Sequence, residues 1–153
     1  MGMQMPQGPR GSTPWDSNKY SAKTFFCYES DSATSIAPTV TATNTFNIAG
    51  DSDFFWTKFC CFALVGGVAT TRFADQLPAL TLLIINTTTG RQYSSSAVPI
   101  PNMAGNAQFP FILPMITLWE KKSTIQLQIL NVGNATYSAF FFSFLGIKAF
   151  TAS

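Results

Sequence analysis

Residues 53–67 read DFFWTKFCCFALVGG, and the reading of this stretch decides the fold. It is apolar and aromatic, carries two adjacent cysteines, and is broken once by Lys58. A membrane span, a thiol site and a strand buried on both faces compete for it. The span fails because Lys58 interrupts the run and Gly66-Gly67 ends it, short of the ~20 residues a spanning helix needs. The thiol site fails because side chains alternate along a strand, which sends Cys60 and Cys61 to opposite faces. Strict alternation places Phe55, Thr57, Phe59, Cys61 and Ala63 on one face and Phe54, Trp56, Lys58, Cys60, Phe62 and Leu64 on the other. Neither face is solvent-like, so something is expected to cover each.

Working outward, the pattern from residue 23 stays β. KTFFCYES (23–30) reads as a strand. In PTVTATNTFNIAG (38–50), Val40, Ala42, Phe46 and Ile48 share one face and Thr39, Thr41, Thr43 and Thr45 the other. PALTLLIIN (78–86) is apolar on both faces, and NTTTGRQY (86–93) is a hairpin signal in which Gly90 supplies a positive φ. Residues 98–114 form a Pro/Gly-punctuated connection to the strands MITLW (115–119) and STIQLQILN (123–131). YSAFFFSFLGIKAF (137–150) closes the chain, with Phe141 on one face, Phe140, Phe142 and Phe144 on the other, and a bulge expected at Gly146. About eight strands without a long helix predict an all-β fold, an antiparallel sandwich of jelly-roll type. A closed barrel or an immunoglobulin-like sandwich is the alternative, the latter without the Cys…Trp…Cys spacing of true immunoglobulin domains.

Residues 1–22 differ from the rest. They are rich in Pro, Gly, Met, Gln and Ser, with no periodicity, and form no core of their own. The organisation expected is an extended N-terminal arm over 1–22 and one β-sandwich domain over 23–153. An ordered arm of this composition would lie on a neighbouring subunit. The start has no apolar run of the signal-peptide kind, and synthesis in the cytoplasm is expected.

Composition bounds the function. Of 153 residues, 46% are apolar but only 10% are charged, against roughly 25% in an average domain. So few charges leave apolar surface uncovered unless other subunits meet it. A net charge of +2 with scattered bases gives no basic stripe for nucleic acid. There is no histidine, which removes the commonest general base and metal ligand. Three cysteines, Cys27, Cys60 and Cys61, suggest buried reduced thiols rather than a disulfide framework or a zinc site. The acids sit mostly in turns or the arm, and no G-x-S-x-G elbow occurs. Asn86 and Asn134 head glycosylation sequons and read as turn residues. No enzyme, cofactor or metal is expected.

Four segments carry a resemblance: FFWTKF (54–59), LTLLIINTTTGRQYSSSAVPIP (80–101), FPFILPMITLWEKKSTIQLQILN (109–131) and YSAFFFSFLGIKAF (137–150). Together they resemble small virion structural proteins of tailed bacteriophages, over roughly residues 53–150. The resemblance implies a head decoration (cement) protein of jelly-roll or related fold. Such a protein would be made in the host cytoplasm and would sit in the virion as a homotrimer on the major capsid protein lattice. Arm residues Met3, Met5, Pro6 and Trp15 would bridge to the capsid protein. Phe54, Trp56, Phe140, Phe142 and Phe144 are the candidate oligomer interface. A neck, tail or fibre-base protein of the same virion fits the same features. A glycan- or receptor-binding module with Trp56 or Trp119 as a stacking platform is a further alternative. Neither nucleic acid nor a membrane is an expected partner.

Overall fold

The computed structural model describes residues 13–31, 35–65, 68–70, 78–106 and 109–152. In chain order the strands are β1 (Tyr20–Asp31), β2 (Thr41–Asn47), β3 (Ser52–Val65), β4 (Val68–Thr70), β5 (Leu80–Asn86), β6 (Arg91–Gln92), β7 (Val98–Pro99), β8 (Phe111–Trp119), β9 (Thr124–Asn131) and β10 (Tyr137–Thr151). Short 3-10 turns lie at Pro14–Asp16 and Ile100–Asn102. Strand β1 takes in residues 20–22, which the sequence pattern assigns to the arm.

The strands form two antiparallel sheets. In the first the order is β1-β10-β3, and the far edge of β3 is shared by β8 along Phe54–Phe59 and by β4 along Ala63–Val65. In the second the order is β2-β9-β5, with β7 and β6 paired to the two ends of β5. The chain crosses between sheets from β1 to β2, from β2 to β3, from β4 to β5, from β7 to β8, from β8 to β9 and from β9 to β10. Sheet neighbours such as β1 and β10 are therefore distant in sequence, which is the jelly-roll arrangement of two interleaved Greek keys. The expected sandwich is present, with β4, β6 and β7 as short additions.

Turn chemistry sets the connections. The β5–β6 hairpin turns through Gly90 at φ 73°, as its sequence requires. The buried Asn86 side chain accepts hydrogen bonds from the Thr88 and Thr89 N–H groups, so it belongs to the turn. Asn131 does the same at the β9–β10 turn, where its buried amide serves Ile36, Gly133 and Ala135.

The core lies between the sheets and is largely aromatic. Trp56 stacks on Trp119 at 5.0 Å, and Phe144 touches Trp56, Phe59, Phe46 and Trp119 at 4.8–5.3 Å. The second sheet answers with Leu80, Leu82, Ile84, Ile125, Leu127 and Ile129, all fully buried.

Strand β3 does not alternate throughout. Lys58 pairs with Leu145 of β10 but Trp56 pairs with Gly146, so Thr57 is an extra residue on β3. This bulge switches the phase of the strand. Phe54 and Trp56 face the core before it, and Phe59, Cys61 and Ala63 after it. The bulge thus lies opposite Gly146, with the inserted residue on β3 rather than β10. Its loosened carbonyls are served locally: the Trp56 indole donates to Lys58 O at 2.8 Å and the Thr57 hydroxyl to Leu145 O at 3.1 Å. Gly146 is required there, because a Cβ would stand 2.0 Å from the Phe55 carbonyl oxygen.

The five residues proposed for an oligomer interface, Phe54, Trp56, Phe140, Phe142 and Phe144, are therefore corrected to core positions. Each is buried within its own chain and packs between the sheets. Core and outer face are separable by mutation. Phe144→Ala is expected to cost about 3–5 kcal/mol in urea denaturation, whereas Phe62→Ala on the opposite face is expected to cost under about 1 kcal/mol.

Candidate interaction surface

The two sheets differ on their outer faces. On the second sheet the outward residues are Thr41, Thr43, Thr45 and Asn47 of β2, Thr124, Gln126, Gln128 and Leu130 of β9, and Thr81, Leu83 and Ile85 of β5. Over β2 and β9 that face is solvent-like, as Thr and Gln at alternate positions demand. On the first sheet, register places Phe25, Ile147, Phe55 and Leu118 side by side across β1, β10, β3 and β8. The adjacent outward row is Cys27, Leu145, Lys58 and Ile112, and further along Phe141 pairs with Phe62. Phe25 is 64% exposed and Phe62 40%. Antiparallel sheets ordinarily turn polar residues outward; here Lys23, Glu29, Lys58 and Ser143 do so, but large apolar side chains stand exposed among them.

Part of the apolar face is covered by the chain itself. The segment from Thr13 to Tyr20 crosses it as a strap. Trp15 and Tyr20 both pack edge-on against Phe55 with centroids 5.6 Å away, so Phe55 and its neighbour Ala149 are buried. Asp16 holds the turn through Thr13 and Lys23. Asp53 fixes the strap to the sheet. Its buried carboxylate accepts from Lys19 Nζ at 2.9 Å, the Tyr20 hydroxyl at 2.8 Å and the Lys121 N–H at 2.8 Å. Burial alone would raise the Asp53 pKa. The bonds from Lys121, Lys19 and Tyr20 outweigh it and hold the carboxyl below its ordinary value. The hydrogen bond to Asp53 raises the Lys19 pKa in turn.

Trp15 thus contacts its own chain rather than standing free for a partner. Met3, Met5 and Pro6 lie outside the described residues. Trp56 and Trp119 are both buried, so neither offers a stacking platform for a sugar. Cys60 and Cys61 diverge as alternation requires, with Cys61 in the core, where burial pushes its thiol pKa up to about 12. Burial also raises the Cys27 and Cys60 pKa values, the opposite of what a reactive thiol needs. Among the described residues no three His, Cys, Asp or Glu side chains converge to hold a metal ion. A cleft of about 440 Å³ opens between the β5–β6 hairpin and β8, lined by residues that include Arg91, Tyr93, Met115 and Glu120. The sequence pattern missed the strap and the cleft, since both depend on segments far apart in the chain.

No protein-family profile matches the chain, and no curated protein does. Among solved structures it is similar to the crystal structure of the infectious bursal disease virus VP2 subviral particle, at 16% identity and a TM-score of 0.32. The overlap covers 88% of this chain and 39% of that one.

The strap has a pH window. A carboxyl whose folded pKa is lowered stabilises above its unfolded value, near pH 4, and loses that contribution as pH falls through the folded value. A raised lysine stabilises below its unfolded value, near 10.5, and loses its contribution as pH rises through the folded value. Asp53→Asn is expected to destabilise the protein by about 1–3 kcal/mol at pH 7. The gap between variant and wild type should narrow below about pH 4, measured by urea denaturation at both pH values.

Proposed function

We propose that the chain is a non-enzymatic structural protein of a virus particle. It binds an assembled shell through the outer face of its first sheet and through its N-terminal arm. The observation that carries this reading is the contrast between the two outer faces. One is Thr/Gln-rich over β2 and β9 and keeps its apolar Leu83, Ile85 and Leu130 half-buried, and the other sets Phe25, Leu118, Ile112 and Phe62 in the open. Large contiguous apolar patches on a soluble chain mark surfaces that meet other macromolecules. Low overall charge and the absence of histidine support a structural role over catalysis.

The finer reading follows the resemblance to tailed-phage virion proteins: a head decoration (cement) protein whose partner is the major capsid protein. Binding only the assembled shell stabilises it by mass action. Copies joined to one another make each further contact effectively intramolecular, which adds avidity. In this reading Met3, Met5 and Pro6 reach the capsid protein beyond the strap, and Trp15 fixes the point from which the arm departs.

Phe25→Asp and Phe62→Asp test the face. Both positions are exposed, so the variants should fold with unchanged cores yet lose retention on purified particles by at least about tenfold in co-sedimentation. Thr43→Asp on the second sheet should be retained like wild type. Equal retention of all three would sink the face assignment, and absence of the chain from purified particles would sink the virion reading.

A further inference from the structure

Strand β1 is an open edge of the first sheet. It pairs with β10 on one side, in unbroken register from Ala22 to Asp31. Among the described residues no strand pairs with its other side. The opposite edge is interrupted: β8 pairs with β3 at Thr117 and next at Ile112, and Met115 and Ile116 between them line the cleft beside the β5–β6 hairpin. Natural proteins shorten, bulge or cover their edge strands, or place lysines on them, because unpaired N–H and C=O groups recruit other strands. Strand β1 runs for 12 residues, about twice the usual length. It carries no proline and is exposed from Ser21 to Phe25. Its one guard is Lys23, and that lysine is already ion-paired to Asp16.

We propose that β1 pairs with β1 of a second copy, antiparallel about a twofold axis at Phe26. Charge fixes both the direction and the register. Lys23, Phe25, Cys27 and Glu29 share the outer face, since Phe25 lies in the outward ladder with Ile147 and Phe55, while Phe26 and Tyr28 pack against the core. An in-register parallel partner would set Lys23 beside Lys23 and Glu29 beside Glu29. An antiparallel partner inverts the order, and residues directly opposite then point to the same face. With Phe26 on the axis, Lys23 of each copy faces Glu29 of the other, and Phe25 faces Cys27. Thr24 faces Tyr28 and Ala22 faces Ser30 on the inner side. Moving the axis to Phe25 or to Cys27 leaves Glu29 opposite Ser21 or Phe25. A pairing shifted by one residue turns outward positions against inward ones.

Both charged groups have capacity for this contact. Glu29 is exposed and makes no ion pair among the described residues. The Lys23 ammonium gives one hydrogen bond to Asp16, and an ammonium carries three donors. The edge lysine therefore discriminates: it opposes a strand that brings no acid into register and accepts one that does. The contact is isologous, so it uses the same edge of both copies and closes without growing into a fibre. It extends the first sheet across both copies and sets their apolar outer faces side by side. This inference does not rest on the virion reading, and it replaces the threefold arrangement implied by the resemblance with a twofold.

Sedimentation velocity on the full chain should show a dimer. Glu29→Lys sets like charges against Lys23 and should raise the dissociation constant at least about tenfold. Its position is exposed, so circular dichroism should be unchanged. Phe25→Cys should give a disulfide-linked dimer through the native Cys27 under copper-catalysed oxidation, because Cα atoms across an antiparallel pair stand about 4.5–5.5 Å apart, within disulfide range. Adding Cys27→Ser to that variant should abolish the link. Phe62→Asp, two strands away from β1, should leave the dimer intact, so failure of the shell-binding face and failure of the dimer are told apart. A trimer, a chain monomeric at roughly 100 μM, or a dimer indifferent to Glu29→Lys or lost in Phe62→Asp overturns the proposal. A dimer that Glu29→Lys breaks but Phe25→Cys does not link, or links without Cys27, overturns this register.

Discussion

The bulge at Thr57 is the constraint on which the rest of the molecule depends. It converts a strand that would turn Phe54 and Trp56 away from Phe59, Cys61 and Ala63 into one that sends all five inward. Without it, half of the β3 aromatics would leave the core and the Trp56–Trp119 stack could not form. The bulge depends in turn on a residue in another strand. Gly146 allows the β3 backbone to come close, and no larger residue fits beside the Phe55 carbonyl. Core composition is thus set by one missing side chain on β10.

The same phase switch fixes what lies outside. Once Phe54 and Trp56 face inward, Phe55 faces outward and joins Phe25, Ile147 and Leu118 in a ladder across four strands. Ladders of this kind ordinarily belong in an interior. The protein covers its middle with Trp15 and Tyr20 and fixes the cover through a buried carboxylate with three donors. A buried charge is tolerable only when so satisfied, and Asp53 ties the strap, β3 and the β8–β9 turn together at one point. Among the described residues, the ends of the ladder, at Phe25 and Leu118, receive no such cover.

Much of this was legible in the sequence. Alternation in TVTATNTF identified β2 with its correct faces, since the strand is regular and half-buried, and TIQLQILN identified β9. Gly90, the divergence of the two adjacent cysteines, and the opposition of Phe141 to Phe140, Phe142 and Phe144 were legible for the same reason: each depends on local geometry alone. The face assignment of Phe54 and Trp56 failed because a bulge is decided by the strand alongside, and no residue within β3 announces it. For β10 the two faces were separated correctly but assigned the wrong way round. Two apolar faces cannot be ranked by pattern, only by what the second sheet presents to them. Phe111–Pro114 read as a connection because proline argues against a central strand; an edge strand tolerates it, and whether a strand lies at an edge is a property of topology.

The small share of charged residues follows from this architecture. On the second sheet Thr, Gln and Asn of β2 and β9 supply outward polar side chains without charge, and β5 turns Leu83 and Ile85 outward half-buried. On the first sheet no lysine sits on β8 itself and no acid interrupts the row from Phe25 to Leu118, while Lys23, Glu29 and Lys58 stand in neighbouring rows. Guarding charges cost little stability at exposed positions, so their omission is not forced by folding. Phe25, Phe62, Ile112 and Leu118 thus stay apolar at exposed positions where charge would have been tolerated.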